Sequence, residues 1–149
     1  MSKNNRYIDW KNWEADSFAK TSKLEEAYFN NIFKLLKLKK SSKILEIGFG
    51  NGSFLGYAVS QKFNYDGVES NQNLVDLAID NNFSAYTSLD KIDTETKYDL
   101  IILFDVIEHI NADAVEEFFK KINVHLELTG SIFLRFPNGS SPLGLGNQH

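Results

Sequence analysis

Three glycines in five positions, Gly48, Gly50 and Gly52, directly follow the short apolar run KILEI at residues 43–47. Such a run is typical of a buried strand, and the glycines after it permit positive φ angles and close approach of a ligand to the backbone. The segment GSFLGYAVSQK then has helical spacing of its apolar residues. The stretch predicts a strand, a tight turn and a helix whose N-terminus faces a ligand.

The remainder of the chain repeats this alternation of short apolar runs and helical periods. Strands are predicted in YDGVE, FSAYT, YDLIILFDV and SIFLRF, and helices in NQNLVDLAIDN and DAVEEFFKKINVHLEL. Asp113 and Glu116 have the spacing of a capping box for the last helix, and Gly130 is expected to end it. The segment at residues 88–97 is too polar and short to predict a further helix. The alternation predicts an α/β, doubly wound, Rossmann-like parallel sheet.

Helical structure is predicted for residues 1–40, because no Gly or Pro interrupts them and apolar residues recur at three- and four-residue steps. These apolar residues are Leu24, Ala27, Tyr28, Ile32, Leu35 and Leu36. We predict an N-terminal helical leader over residues 1–40 that packs on a core formed by residues 41–149.

Composition excludes several classes of protein. Sixteen Lys and Arg against twenty Asp and Glu give a net charge of -4, and the basic residues are scattered, so no nucleic-acid partner is expected. Cysteine is absent, which excludes a disulfide framework and a thiolate metal site. No stretch approaches the ~18 apolar residues of a membrane span, and the N-terminus lacks the apolar core of a signal peptide. We expect a cytoplasmic protein.

The glycine spacing separates two ligand classes. A dinucleotide cofactor favours G-x-G-x-x-G, which read from Gly48 would need a glycine where Ser53 stands. Glu46, two residues ahead of the turn, would repel the phosphates of NAD but would suit a ligand with an amino group. An NAD-dependent oxidoreductase is therefore the disfavoured alternative.

The motif EIGFGNG resembles the first motif of the class I S-adenosylmethionine-dependent methyltransferases, an acidic residue followed by G-x-G-x-G. In YDGVES, Glu69 fills the place of that family's ribose-binding acidic residue. The segments FDVIEHI and FPNG are similar to a subgroup that includes ubiquinone-biosynthesis-type and many sugar or lipid O-methyltransferases. The resemblance runs from about Lys43 to the end of the chain.

The resemblance implies S-adenosyl-L-methionine as cofactor, S-adenosyl-L-homocysteine as product, and a small-molecule, glycan or lipid-linked acceptor methylated on oxygen. It implies that Glu46 orients the methionine end of the cofactor, that Glu69 binds both ribose hydroxyls, and that Ser88 with Leu89 faces the adenine. The predicted cofactor-binding residues are Glu46, Gly48, Phe49, Gly50, Asn51, Gly52, Glu69, Ser70, Ser88, Leu89, Phe104 and Asp105.

His109 is the predicted catalytic base, because it lies in the family-like loop beside the cofactor and histidine is a residue type that accepts protons near neutrality. A surface histidine at a helix start is the alternative for His109, and Glu69 has the alternative role of a helix cap. Glu108 and His109 are adjacent without a spaced partner, so no metal is predicted.

The family's sheet normally continues past the fifth strand with two more strands, and this sequence has no segment for them after FPNGSSPLGLGNQH. We therefore expect that the fold is truncated and that the fifth strand is an open edge, through which a homodimer could form. A second alternative follows for the function, namely a domain that binds S-adenosylmethionine without turnover.

Overall fold

A computed structural model describes residues 17–137 of the chain, and these residues contain a single five-stranded sheet. The strands are β1 Lys43–Ile47, β2 Asn64–Val68, β3 Ala85–Tyr86, β4 Tyr98–Phe104 and β5 Leu126–Arg135. Their order across the sheet is β3-β2-β1-β4-β5, and every neighbouring pair is parallel. The predicted doubly wound, Rossmann-like parallel sheet is confirmed.

Four α-helices flank the sheet in the described part of the chain. They are α1 Lys23–Leu36, α2 Ser53–Ser60, α3 Gln72–Asp80 and α4 Val115–Val124. One buried cluster joins α1, α2 and α3 to one face of the sheet, and a second joins α4 to the opposite face. The sheet is therefore covered on both sides, which explains the near-continuous apolar run of β4.

Alternate residues of the central strands divide between the two clusters. Ile44 of β1 and Leu100 of β4 face α1–α3, whereas Leu45 and Ile101 face α4, and all four side chains are fully buried. This two-residue period places Glu46, two residues after Ile44, on the α1–α3 face. A carboxyl group therefore lies within the core at the end of β1.

The predicted boundary between the last helix and the last strand is wrong. Helix α4 ends at Val124, and Gly130 lies within β5 instead of ending the helix. The β4–β5 register jumps between Tyr98 and Leu100, and a Cβ at Gly130 would lie 2.9 Å from the carbonyl oxygen of Tyr98. Gly130 is therefore required by close contact at an irregular pairing in β5.

The predicted capping box at Asp113 and Glu116 is also wrong. Residues Ala112–Ala114 form a 3₁₀ turn, so Ala114 occupies the N-cap position of α4 and no side chain caps it. Because of this turn, α4 begins at Val115. Asp113 is therefore not the N-cap residue, and Glu116 is not at the third helical position.

Helix α1 confirms a helical leader between residues 23 and 36, while residues 1–16 of that prediction lie outside the described residues. The predicted apolar face is wrong in part, because Leu24 and Leu35 are 83% and 74% exposed. Of the predicted residues, Ile32 is buried and Leu36 packs against the core cluster, whereas Phe29, which is buried, and Phe33, which packs there too, were not predicted. These four residues also have helical spacing, so the sequence offered two overlapping stripes.

Two weaker predictions had mixed outcomes. The strand predicted in FSAYT is reduced to the two residues of β3. Residues 88–97 contain a short 3₁₀ turn, Leu89–Lys91, in place of a crossover helix. Among residues 17–137, none of the helices combines the length and apolar character that a membrane crossing requires.

Two substitutions on α1 test which face is buried. Ile32→Ala removes a side chain that is 4% exposed, and we expect the free energy of unfolding to fall by about 2–5 kcal/mol. Leu35→Ala removes an exposed side chain and should change it by less than about 0.5 kcal/mol. Urea denaturation measures both. Equal losses would show that α1 packs through the other stripe.

Candidate active site

A cavity of about 690 Å³ lies at the carboxyl ends of β1, β2 and β4. Its walls include the segments that directly follow these strands, residues 48–51, 69–71 and 105–106, together with Phe104 at the end of β4. In an open parallel sheet, the loops after the strands diverge at this edge and leave a crevice for a ligand. The cavity is therefore where the fold itself predicts a binding site.

The turn after β1 requires glycine at Gly48. This residue has a φ of 77°, and a Cβ there would lie 2.5 Å from a methyl group of Val106. Its N–H donates to the carbonyl oxygen of Val68 at 2.7 Å, which ties the turn to the end of β2. A side chain at this position would both strain the backbone and displace the loop that follows β4.

Glu69 joins the loop after β1 to the loop after β2. Its Oε2 accepts a hydrogen bond from the Gly50 N–H at 3.1 Å, and its Oε1 accepts one from the Asn71 N–H at 3.0 Å. The N-cap of α3 is Asn71, whose side chain accepts from the Asn73 N–H. Glu69 therefore bridges the two loops, and the capping side chain is its neighbour Asn71.

Glu46 lines the cavity from a buried position, with 3% of its surface exposed. Its Oε2 accepts a hydrogen bond from the hydroxyl of Tyr65 at 2.5 Å. Burial, together with the nearby charge of Glu69, raises the pKa of Glu46 to about 8, and the Tyr65 hydrogen bond and the charge of Arg135 only partly oppose this rise. Glu46 is therefore mostly protonated at neutral pH.

On the side of β4 and β5, Arg135 and Asp105 form an ion pair. The Arg135 Nη2 lies 2.5 Å from Asp105 Oδ2, and the Asp105 N–H donates to the carbonyl oxygen of Arg135 at 2.8 Å. The guanidinium also lies 4.7 Å from the ring centre of Phe104 and 5.6 Å from that of Tyr28. Arg135 thus connects the ends of β4 and β5 to α1.

Most of the predicted site residues meet in this cavity. Those that line it are Glu46, Gly48, Phe49, Gly50, Asn51, Glu69, Ser70, Phe104, Asp105 and His109. Gly52 lies under the ring of Phe18, and Leu89 packs in the core on the α4 face. Neither of these two, nor Ser88, lines the cavity, so the adenine-binding segment stays a prediction without a contact to the site.

His109 ends a short 3₁₀ turn, Ile107–His109, and its exposed side chain borders the cavity. Its backbone N–H donates to the carbonyl oxygen of Val106 at 3.0 Å. Its imidazole makes no hydrogen bond or ion pair with any residue between 17 and 137. The position suits a proton acceptor, but no described side chain fixes the orientation of the ring.

Sequence reasoning missed three lining residues that matter for the site, Glu25, Phe29 and Arg135. Arg135 ends a parallel strand, so the rule that ligands meet strand ends could have identified it. Glu25 stands three residues after Ser22 and completes a capping box with it. A capping spacing of this kind indicates a helix start, and it gives no sign that Glu25 borders a cavity.

No metal centre is formed by the part of the chain that the structure describes, because no three His, Cys, Asp or Glu side chains there are placed to share an ion.

The sequence matches the methyltransferase domain family over residues 21–148, and the chain belongs to this family. No protein with a curated description matches it.

Solved structures share the fold. A methyltransferase from Archaeoglobus fulgidus, described as dependent on S-adenosylmethionine, is 17% identical, with a TM-score of 0.71, 97% of this chain covered and 62% of that one. A TehB-like methyltransferase from Corynebacterium glutamicum is 23% identical, with a TM-score of 0.67 and coverages of 91% and 73%. Coclaurine N-methyltransferase is 16% identical, with a TM-score of 0.59 and coverages of 74% and 35%. The chain thus spans well under two thirds of some of these proteins.

The buried carboxyl group of Glu46 predicts a pH effect on stability. Its pKa is about 8 in the folded chain against about 4.5 for an exposed glutamate, so the folded state holds this proton more tightly. The resulting stabilisation is present below about pH 4.5 and is lost as the pH rises through 8, by at most about 1.4 kcal/mol per pH unit. Glu46→Gln has no such proton. Urea unfolding between pH 5 and 8 should show wild type losing stability relative to Glu46→Gln, and parallel curves would contradict a protonated Glu46.

Proposed function

We propose that this chain binds S-adenosyl-L-methionine in the cavity and transfers its methyl group to an acceptor held at the β4–β5 side. The observation that carries the proposal is the convergence of Gly48, Glu46 and Glu69 on one cavity at the ends of β1 and β2. Membership of the methyltransferase domain family supports it, and coclaurine N-methyltransferase was crystallised with S-adenosylhomocysteine.

The residues present fit this cofactor. The cradle at Gly48 cannot accept a Cβ, so only backbone faces the ligand there. Glu69 presents two carboxylate oxygens with more lone pairs than its two backbone donors use, which suits a pair of vicinal hydroxyls. Glu46 lies nearby and would gain a partner in a cationic amino group, which favours its ionised form.

The bound cofactor would supply an electrophilic methyl group on a sulfonium, so the main task of the chain is to position the acceptor. The acceptor must also lose a proton, and His109 borders the cavity where it can take one. The sequence resemblance favours an oxygen nucleophile on a small, glycan-linked or lipid-linked acceptor. The cofactor-binding role of Ser70, Ser88 and Leu89 belongs to the same proposal.

Binding without turnover is the second candidate function. The observation that favours it is the unsupported imidazole of His109, which no residue between 17 and 137 orients. Methyl transfer from labelled S-adenosylmethionine to a panel of small hydroxyl and amine compounds separates the two. Tight binding of S-adenosylhomocysteine with no labelled product from any compound would favour the second candidate.

Strand β5 lies at an edge of the sheet in the described part of the chain. A homodimer formed through this edge stays a prediction. Light scattering across a range of protein concentrations measures it, and a constant monomer mass would contradict it.

The cofactor proposal predicts a selective thermal shift. S-adenosylhomocysteine at a hundred times its dissociation constant should stabilise the chain by about 2.7 kcal/mol, because it binds only the folded state. NAD should give no comparable shift, because the carboxylate of Glu69 already occupies the Gly50 N–H of the glycine turn, where a phosphate would bind. Stabilisation by NAD and not by S-adenosylhomocysteine would replace the proposal with an oxidoreductase.

Replacement of Glu69 should weaken cofactor binding directly, because its carboxylate is proposed to accept hydrogen bonds from the ribose hydroxyls. Glu69→Ala removes a charged acceptor worth about 1.5–3 kcal/mol, so calorimetry should show S-adenosylhomocysteine binding weaker by about one to two decades. Asp76→Asn, on the exposed side of α3, is the control and should bind like the wild type. Unchanged affinity in Glu69→Ala would limit Glu69 to joining the two loops.

A further inference from the structure

The half of the cavity near β4 and β5 is negatively charged. Among the described residues that line it, Glu25, Asp105 and Glu108 carry carboxylates, and Arg135 carries a guanidinium. Arg135 is paired with Asp105, so one full positive charge faces three negative ones and two carboxylates lack a paired cation. Partial burial opposes ionisation of Glu25, but hydrogen bonds from Ser22 and Ser53 and the charge of Arg135 together lower its pKa. Glu25 is therefore ionised at neutral pH.

Three phenyl rings line the cavity beside these charges. Phe29 lies 5.1 Å from Phe54 and 5.6 Å from Phe104 between ring centres, and Phe54 lies 5.3 Å from Phe104. The edges of these rings that reach the cavity offer apolar contact to a hydrocarbon body, while the Phe104 ring is already in contact with the Arg135 guanidinium. Phe29 stands one helical turn after Glu25, so α1 places a ring and a carboxylate on the same face.

A buried hydroxyl at the same place lacks a hydrogen bond of ordinary geometry. Ser53 is 8% exposed and lines the cavity, and its Oγ makes no hydrogen bond of ordinary geometry with the described residues. Only a weak hydrogen bond to the carboxylate of Glu25 is available to it, and this bond helps to lower the pKa of Glu25. A buried polar atom of this kind is costly unless something completes its hydrogen bonding, and a polar ligand group would do so.

We propose that the methyl acceptor is an amine with an apolar body, whose ammonium enters between Glu25 and the rings of Phe29 and Phe104. This inference rests on the methyl-transfer function, and it favours nitrogen over the oxygen that the sequence resemblance suggests. Glu25 accepts from the ammonium, Ser53 accepts a further N–H, and the phenyl rings hold the hydrocarbon part. An anionic acceptor would face Glu25 and Glu108 and be repelled.

The reaction balances with these groups. The ammonium first gives one proton to His109, which frees the nitrogen lone pair. That lone pair forms the new nitrogen–carbon bond while the carbon–sulfur bond of the sulfonium breaks and its electron pair stays on sulfur. The products are S-adenosylhomocysteine, a neutral thioether, and the methylated ammonium. The imidazolium of His109 then releases its proton to solvent.

Glu25→Gln is the decisive variant, because glutamine at this position keeps the capping hydrogen bond from the Ser22 N–H and so preserves α1. Glu26→Gln is the matched control, since Glu26 is an exposed neighbour that does not line the cavity. The probes are phenethylamine, phenethyl alcohol and hydrocinnamate, which share a phenyl body and differ in charge. Calorimetry on protein saturated with S-adenosylhomocysteine gives their affinities.

We expect the wild type and Glu26→Gln to bind phenethylamine about tenfold or more tighter than the alcohol and the carboxylate. In Glu25→Gln this preference should disappear while S-adenosylhomocysteine binds as in the wild type. Equal affinities for the three probes in the wild type would overturn the proposal. Weaker cofactor binding in Glu25→Gln would also overturn it, by assigning Glu25 to the cofactor. If S-adenosylhomocysteine fails to bind the wild type at all, the methyl-transfer function itself fails, and this result is distinct from the other two.

Discussion

The hydrogen bond from the Gly50 N–H to the carboxylate of Glu69 is the contact on which the site depends most. This bond joins the loop after β1 to the loop after β2. The other carboxylate oxygen of Glu69 accepts from the Asn71 N–H and so holds the start of α3. Parallel pairing of β1 with β2 and β4 brings the loops to one edge of the sheet, but pairing alone does not fix their separation. Glu69 fixes it, and the same two oxygens remain directed at the cavity.

Sequence reasoning reached the features that depend on local pattern and missed those that depend on contact between distant segments. The glycine turn, the alternation of strands and helices and the position of Glu69 follow from spacing within about twenty-five residues. The end of α4 does not, because the irregular pairing of β5 with β4 decides where the helix gives way to the strand. The buried face of α1 was also ambiguous, since two stripes fit the helical period and only packing against α2 selects one.

Glu46 is an ionisable side chain that is buried in an otherwise apolar part of the core. A carboxyl group on the apolar α1–α3 face is tolerated because it is largely neutral and accepts a hydrogen bond from Tyr65. A hydrophobic residue at this position would need neither a proton nor a hydrogen-bond partner in order to be buried. An ionisable group at a strand end that faces a cavity fits the proposed role of Glu46 in cofactor binding.

One residue of helix α1, Glu25, contributes both to the cap of the helix and to the wall of the cavity. Glu25 closes the capping box that starts the helix, and the same carboxylate borders the cavity one turn before Phe29. The half of the cavity that we propose for the cofactor is built by the loops after β1 and β2, whereas the opposite half takes side chains from α1, β4 and β5. A change on α1 can therefore alter what the β4–β5 half accepts without disturbing the Gly50–Glu69 contact. Helix α1 therefore forms a wall of the cavity, and under the proposed function its carboxylate and phenyl ring select the charge of the acceptor.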